Sequence, residues 1–118
     1  MNNVALSLLV LKTRQLDGLR RFYGSLGIEL TKEQHGKGPV HYAARVGDVV
    51  LEVYPLPDND TSADATTRLG FAVPSVAKVV QALQAVGTPI VREPQVTQWG
   101  LQAVVRDPDG RAVELYEH

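Results

Sequence analysis

Glu52 and Glu114 are the residues best equipped for chemistry in this chain. Each sits in a strand-like stretch, Leu51-Glu52-Val53-Tyr54 and Val113-Glu114-Leu115-Tyr116, and the two are related by an offset of 114 − 52 = 62. A positioned carboxylate can take up a proton, ligate a metal or pair with a cation. Arg45, Arg68 and Arg106 can supply that cation; they can equally grip a carboxylate or phosphate on a ligand. His41 offers a ligand nitrogen or a hydrogen bond, and its bland alternative is a strand-end histidine in water. Tyr54, Gln102 and Tyr116 can hydrogen-bond a ligand or simply fill space, and Trp99 can cover a bound ring or plug a core. His35, in a loop by composition, and the terminal His118 carry no site role in this reading.

These residues need elements to hold them. Alternating or apolar runs predict strands at Val4–Leu11, Ile28–Lys32, Val40–Val46, Val49–Tyr54, Leu69–Val73, Pro89–Arg92, Leu101–Arg106 and Ala112–Tyr116. Two stretches have helical spacing. One carries Leu16, Leu19, Tyr23 and Leu26 behind a Thr13 N-cap and ends at Gly27; the other carries Val76, Val79, Val80, Leu83 and Val86 behind Ser75 and ends at Gly87. The order strand, helix, three strands therefore occurs twice. The helix-closing glycines keep an offset of 87 − 27 = 60, which implies internal duplication. Module one spans about 4–54, a polar linker 55–67, and module two about 68–117, within a single domain 1–118.

Turn chemistry sets the register. A two-residue turn at Gly47-Asp48 pairs Val46 with Val49 and Ala43 with Glu52. A type I turn with a glycine bulge at Asp107-Pro108-Asp109-Gly110 pairs Arg106 with Ala112, Val104 with Glu114 and Gln102 with Tyr116. Cross-strand partners share a face, so Leu51 and Val53 turn to a helix. Their neighbours His41, Arg45, Glu52 and Tyr54 make a mixed, polar face, repeated in the second half by Arg68, Gln102, Arg106, Glu114 and Tyr116. Such a face is either a solvated sheet with surface ion pairs or a cup for a small polar ligand.

Composition removes several functions. Twelve Lys and Arg against 13 Asp and Glu leave a net charge of −1, which argues against nucleic acid or an anionic membrane as partner. No cysteine is present, so thiol nucleophiles, disulfides and iron–sulfur ligation are out, in keeping with a cytoplasmic protein. The run Val4–Leu11 is too short for a membrane span and lacks a basic start for a signal peptide. No phosphate loop, dinucleotide fingerprint or nucleophile elbow occurs.

Arg20-Arg21-Phe22-Tyr23 with Leu26-Gly27, Leu51-Glu52-Val53-Tyr54, and Asp107-Pro108-Asp109-Gly110 leading into Val113-Glu114-Leu115-Tyr116 stand in the order found in one family. Over nearly its whole length the chain resembles the vicinal oxygen chelate superfamily of glyoxalases, bleomycin-resistance proteins and extradiol dioxygenases. The resemblance implies an α+β fold in which two tandem βαβββ modules form a curved mixed sheet around a cavity, often with two chains per assembly. It also implies four metal-ligand positions, usually His or Glu, which fall here at Leu8, Glu52, Arg68 and Glu114. Leu8 has no donor atom, and a guanidinium repels a divalent cation. Two carboxylates on one cavity would repel each other, and Arg68 can relieve that by pairing with one of them. The expectation is therefore a homodimeric small-molecule-binding protein with no cofactor, in which a divalent metal through other ligands stays open. The rival is a lyase, isomerase or dioxygenase-like enzyme using Glu52 or Glu114 as base or as partial metal ligands.

Overall fold

Each half of the chain closes its helix in the same way, and that fixes where the following strands start. In the computed structural model, which describes residues 3–57 and 62–118, helix α1 runs Leu16–Ser25 and α2 runs Val76–Ala85. Beyond each helix a glycine takes positive φ, Gly27 at 100° and Gly87 at 81°. The next amide then reaches back five residues: Ile28 N donates to Tyr23 O at 3.1 Å and Thr88 N to Leu83 O at 2.9 Å. That cap uses the residues assigned from sequence to a strand at Ile28–Lys32. Strand β2 consequently begins later, at Thr31–Glu33, and Leu30 is buried.

The N-termini differ. Ser75 caps α2, its Oγ accepting from Lys78 N at 3.2 Å, as its residue type predicts. Thr13 does not cap α1. It ends strand β1, fully buried, and its hydroxyl accepts from Gln15 N at 2.9 Å, so the helix opens one residue beyond Gln15.

The first unit comprises Met1–Gly24 with Ile28–Ala63. Its sheet has the order β1-β4-β3-β2, with β1 (Leu8–Thr13) parallel to β4 (Val49–Pro55), and β3 (His41–Val46) antiparallel to both β4 and β2. Strand β1 starts at Leu8 and not at Val4, because its ladder begins opposite Val50, whose N–H is taken by Ser7 O. The predicted pairs Val46 with Val49 and Ala43 with Glu52 are present, and Gly47 takes the positive φ of 58° that such a short turn needs. Leu11, Leu19, Phe22, Tyr23, Leu51 and Val53 are buried, as the patterning requires. His41 and Ala43, on the opposite face, are buried too, which strand alternation alone would not give.

The second unit comprises Ser25–Gly27 with Asp64–His118. Its sheet repeats the first as β5-β8-β7-β6, with β5 (Leu69–Val73) parallel to β8 (Ala112–Glu117) and β7 (Gly100–Arg106) antiparallel to its neighbours. Helix α2 packs on β6, β7 and β8, burying Val76, Val79, Val80 and Leu83 in a unit where Ala103, Val105, Val113 and Leu115 are also buried. Strand β6 runs Ile90–Thr97, well past the expected end at Arg92. It is an edge strand, and its register slips between Arg92 and Gln95, where Pro94 has no N–H to donate. The fold is thus α+β, two tandem βαβββ modules each giving a mixed four-stranded sheet. The linker predicted at 55–67 includes residues 58–61, which lie outside the described residues.

Candidate functional site

The register places the glutamates identically in the two modules. Glu52 lies beside Val10 in the parallel β1–β4 pair, and Glu114 beside Gly70 in β5–β8. Leu8 and Arg68 each stand two residues before that partner, so they are equivalent positions on the same faces as the glutamates.

Around Glu114 the second unit is fully wired. Tyr116 OH donates to Glu114 Oε1 at 2.6 Å, Gln102 Nε2 donates to the same oxygen at 3.0 Å, and Arg68 donates to Oε2 at 2.5 Å. The tyrosine hydrogen bond first, then Arg68, holds the Glu114 carboxyl below its usual range against the opposing effect of burial. The same bond pushes the Tyr116 phenol up, and Glu114 pushes the Arg68 guanidinium up. Gly70 leaves room for this arrangement, since a Cβ there would meet Tyr116 Cε2 at 3.3 Å.

Glu52 differs. Among the described residues it makes no hydrogen bond or ion pair; burial first, then the charges of Glu52 and Glu33, raise the Tyr54 phenol. Arg106 is turned to the glycine bulge, its Nη1 donating to Gly110 O at 2.9 Å. Arg45 is exposed beside Val50. Trp99 is 69% exposed in the β6–β7 turn, so it plugs no core.

His41 is not a solvated strand-end residue. It is 1% exposed, its ring stacks on Tyr54 with centroids 4.0 Å apart and planes 9° apart, and its Nδ1 lies 3.2 Å from Pro39 O. Glu33, opposite it in the β2–β3 register, brings Oε1 to 3.3 Å from His41 Nε2. His35, given no role from sequence, places Nε2 3.6 Å from the same oxygen. Glu33, His35 and His41 each offer one ligand atom, all within 4.8 Å of one another. Sequence reasoning missed this group because it set Glu33 outside its strand; the signal was Glu-x-His ahead of a turn leading back to His41.

The four family metal positions do not fit a metal in this chain. Leu8 supplies no donor, Arg68 is a fixed cation, and both oxygens of Glu114 already accept hydrogen bonds.

Residues 5–115 match the profile of the Glyoxalase/Bleomycin resistance protein/Dioxygenase superfamily, and the chain belongs to it. Solved structures of the same fold have different attributes. TnmS3, an antibiotic binding protein from Streptomyces sp. CB03234, has a TM-score of 0.75 at 24% identity, covering 99% of this chain and 98% of its own. The oxidase ChaP-H2 has a TM-score of 0.78 at 16% identity, covering 99% of this chain and 95% of its own. Lactoylglutathione lyase from Agrobacterium tumefaciens has a TM-score of 0.67 at 18% identity, covering 99% and 96% respectively. A search of curated protein sequences finds no match. Among the described residues no helix is long and apolar enough to cross a membrane.

Proposed function

We propose that this protein binds a small organic molecule, that affinity is its function, and that no catalytic metal occupies the family positions. The observation that carries this is the state of Glu114, whose two oxygens accept from Arg68, Gln102 and Tyr116. A carboxylate so engaged is a poor metal ligand and a poor base, and the cluster presents a ligand with a guanidinium edge that is 72% exposed. The antibiotic-binding relative supports a ligand of that general kind. In this reading Arg68, Gln102 and Tyr116 meet the ligand from the second module. Within the first module, Arg45 and Tyr54 are the side chains this reading assigns to a ligand. The working form is a cytoplasmic homodimer.

The test is a thermal-shift screen of the purified chain against bleomycin and a set of small aromatic acids, followed by chromatography of each hit. The expected result is stabilisation growing with ligand concentration, about 2.7 kcal/mol at a hundred times Kd, with the ligand recovered unchanged. Conversion of the hit to a product by the wild-type chain sinks it.

Glu52 sustains a second reading. Of the two family-position carboxylates, it is the one with no partner among the described residues, and so the one able to take a proton from a bound carbonyl compound in a lyase or isomerase reaction. Under that reading Glu52→Gln abolishes turnover while Glu114→Gln lowers it less.

A further inference from the structure

The geometry points to a divalent metal site at Glu33, His35 and His41 on the β2–β3 hairpin, separate from the family's four positions and of the zinc type. We propose it from three observations, all within the first unit.

The first is the buried nitrogen. His41 is 1% exposed and its Nε2 has no hydrogen-bond partner, although it is aimed at the Glu33 carboxylate. Pro39 O can only accept, so Nδ1 carries the proton that satisfies their 3.2 Å contact. With the ring neutral, Nε2 is then a lone pair facing a carboxylate oxygen, a contact that a proton or a metal ion between them satisfies. A backbone carbonyl on the far nitrogen is also the usual support of a metal-bound imidazole.

The second is distance. Donors about 2.0–2.2 Å from a tetrahedral zinc lie roughly 3.4 Å from one another. Glu33 Oε1 stands 3.3 Å from His41 Nε2 and 3.6 Å from His35 Nε2, which is that spacing on both sides of the carboxylate.

The third is how the donors are held. Glu33 and His41 are cross-strand partners, so the ladder fixes them on one face. The loop between them is tied by Gly38 N donating to His35 O at 2.9 Å and Gln34 Nε2 donating to Gly38 O at 2.9 Å. Tyr54 lies flat on the His41 ring. His35 remains exposed, with its ring centroid 5.2 Å from that of His41. Three protein ligands leave the fourth position to water or to an oxygen of a bound molecule.

The test is calorimetric titration of tag-free, chelator-treated protein with ZnCl2 alone, and with CoCl2 for its visible spectrum. We expect one equivalent bound, a tetrahedral cobalt band, and at least a tenfold weaker Kd in His35→Ala. That variant alters only an exposed side chain, and circular dichroism checks its fold. Glu33→Gln should weaken binding as much, whereas Glu52→Gln, Glu114→Gln and His118→Ala should leave it unchanged. No zinc binding below about 100 µM overturns the proposal. So does binding that survives both His35→Ala and Glu33→Gln, and so does binding lost through Glu52 or Glu114. Ligand binding by the chain is read in a separate assay, so either reading can fail alone.

Discussion

Tyr116 acts on Glu114 through one hydrogen bond, and Arg68 through both a hydrogen bond and its charge. The Tyr116 phenol is the largest single cause of the lowered carboxyl, while Arg68 reaches Glu114 with a side chain that is 72% exposed and screened by water. Tyr116→Phe and Arg68→Ala should each raise the Glu114 carboxyl, as followed by carbon NMR of the side-chain carboxyl through an acid titration. The pH dependence of stability has a definite sign. A carboxyl held below its unfolded value of about 4.3 stabilises the fold above that pH, and loses that contribution as pH falls through its folded value. The advantage of wild type over Glu114→Gln, about 1 kcal/mol, should be full at pH 6 and vanish under strongly acidic conditions. Glu114, Tyr116, Gln102 and Arg68 could be set on one face from alternation and turn type. The Glu33–His35–His41 group could not, because it depends on where a helix cap releases the chain and on a loop whose path has no periodic signal.

At the level of elements, the turn after β7 is tightly built. Asp107 Oδ1 accepts from Asp109 N and Arg111 N, its Oδ2 accepts from Arg111 Nη1, and that Nη1 also donates to Asp109 Oδ2. Burial works against the Arg111 charge, but the two aspartates more than compensate and keep the guanidinium raised. Gly110 supplies the positive φ of 92° that the bulge requires. The turn type follows from Pro108 and Gly110, whereas the burial of Arg111 does not, since an arginine beside two aspartates reads as a solvated charge cluster. Asp107→Asn removes one charge from a pair that is 2% and 0% exposed, and should cost about 3 kcal/mol, a fall in Tm of roughly 10 °C in thermal denaturation. Ser75→Ala tests an ordinary cap for comparison. It deletes the acceptor of Lys78 N and should cost about 1 kcal/mol. A D107N effect no larger than that of S75A would mean that the turn is held by its backbone alone.

The whole molecule is a sequence pattern used twice, and the duplication was legible because caps and strand registers repeat with it. What does not repeat is the apolar surface ahead of and along β1. Leu6, Leu8 and Val10 are 65%, 51% and 39% exposed, and alternate residues of an extended chain share one side. Leu6 precedes the edge strand β1, and Leu8 and Val10 lie along it on the Glu52 face, an exposed apolar row of the kind that a partner can cover. A second copy of the chain is the partner that the proposed homodimer supplies. A two-fold axis through this row would set each leucine against the same residues of its mate, and burying one leucine side chain contributes about 2 kcal/mol. Leu6→Glu should then convert the dimer to a monomer in sedimentation at tens of micromolar protein, because the two-fold brings two carboxylates into one apolar seam. Leu6 is 65% exposed ahead of β1, and circular dichroism should show an unchanged fold. A wild-type chain that sediments as a monomer at high concentration rules out this interface, as does a Leu6→Glu chain that remains dimeric.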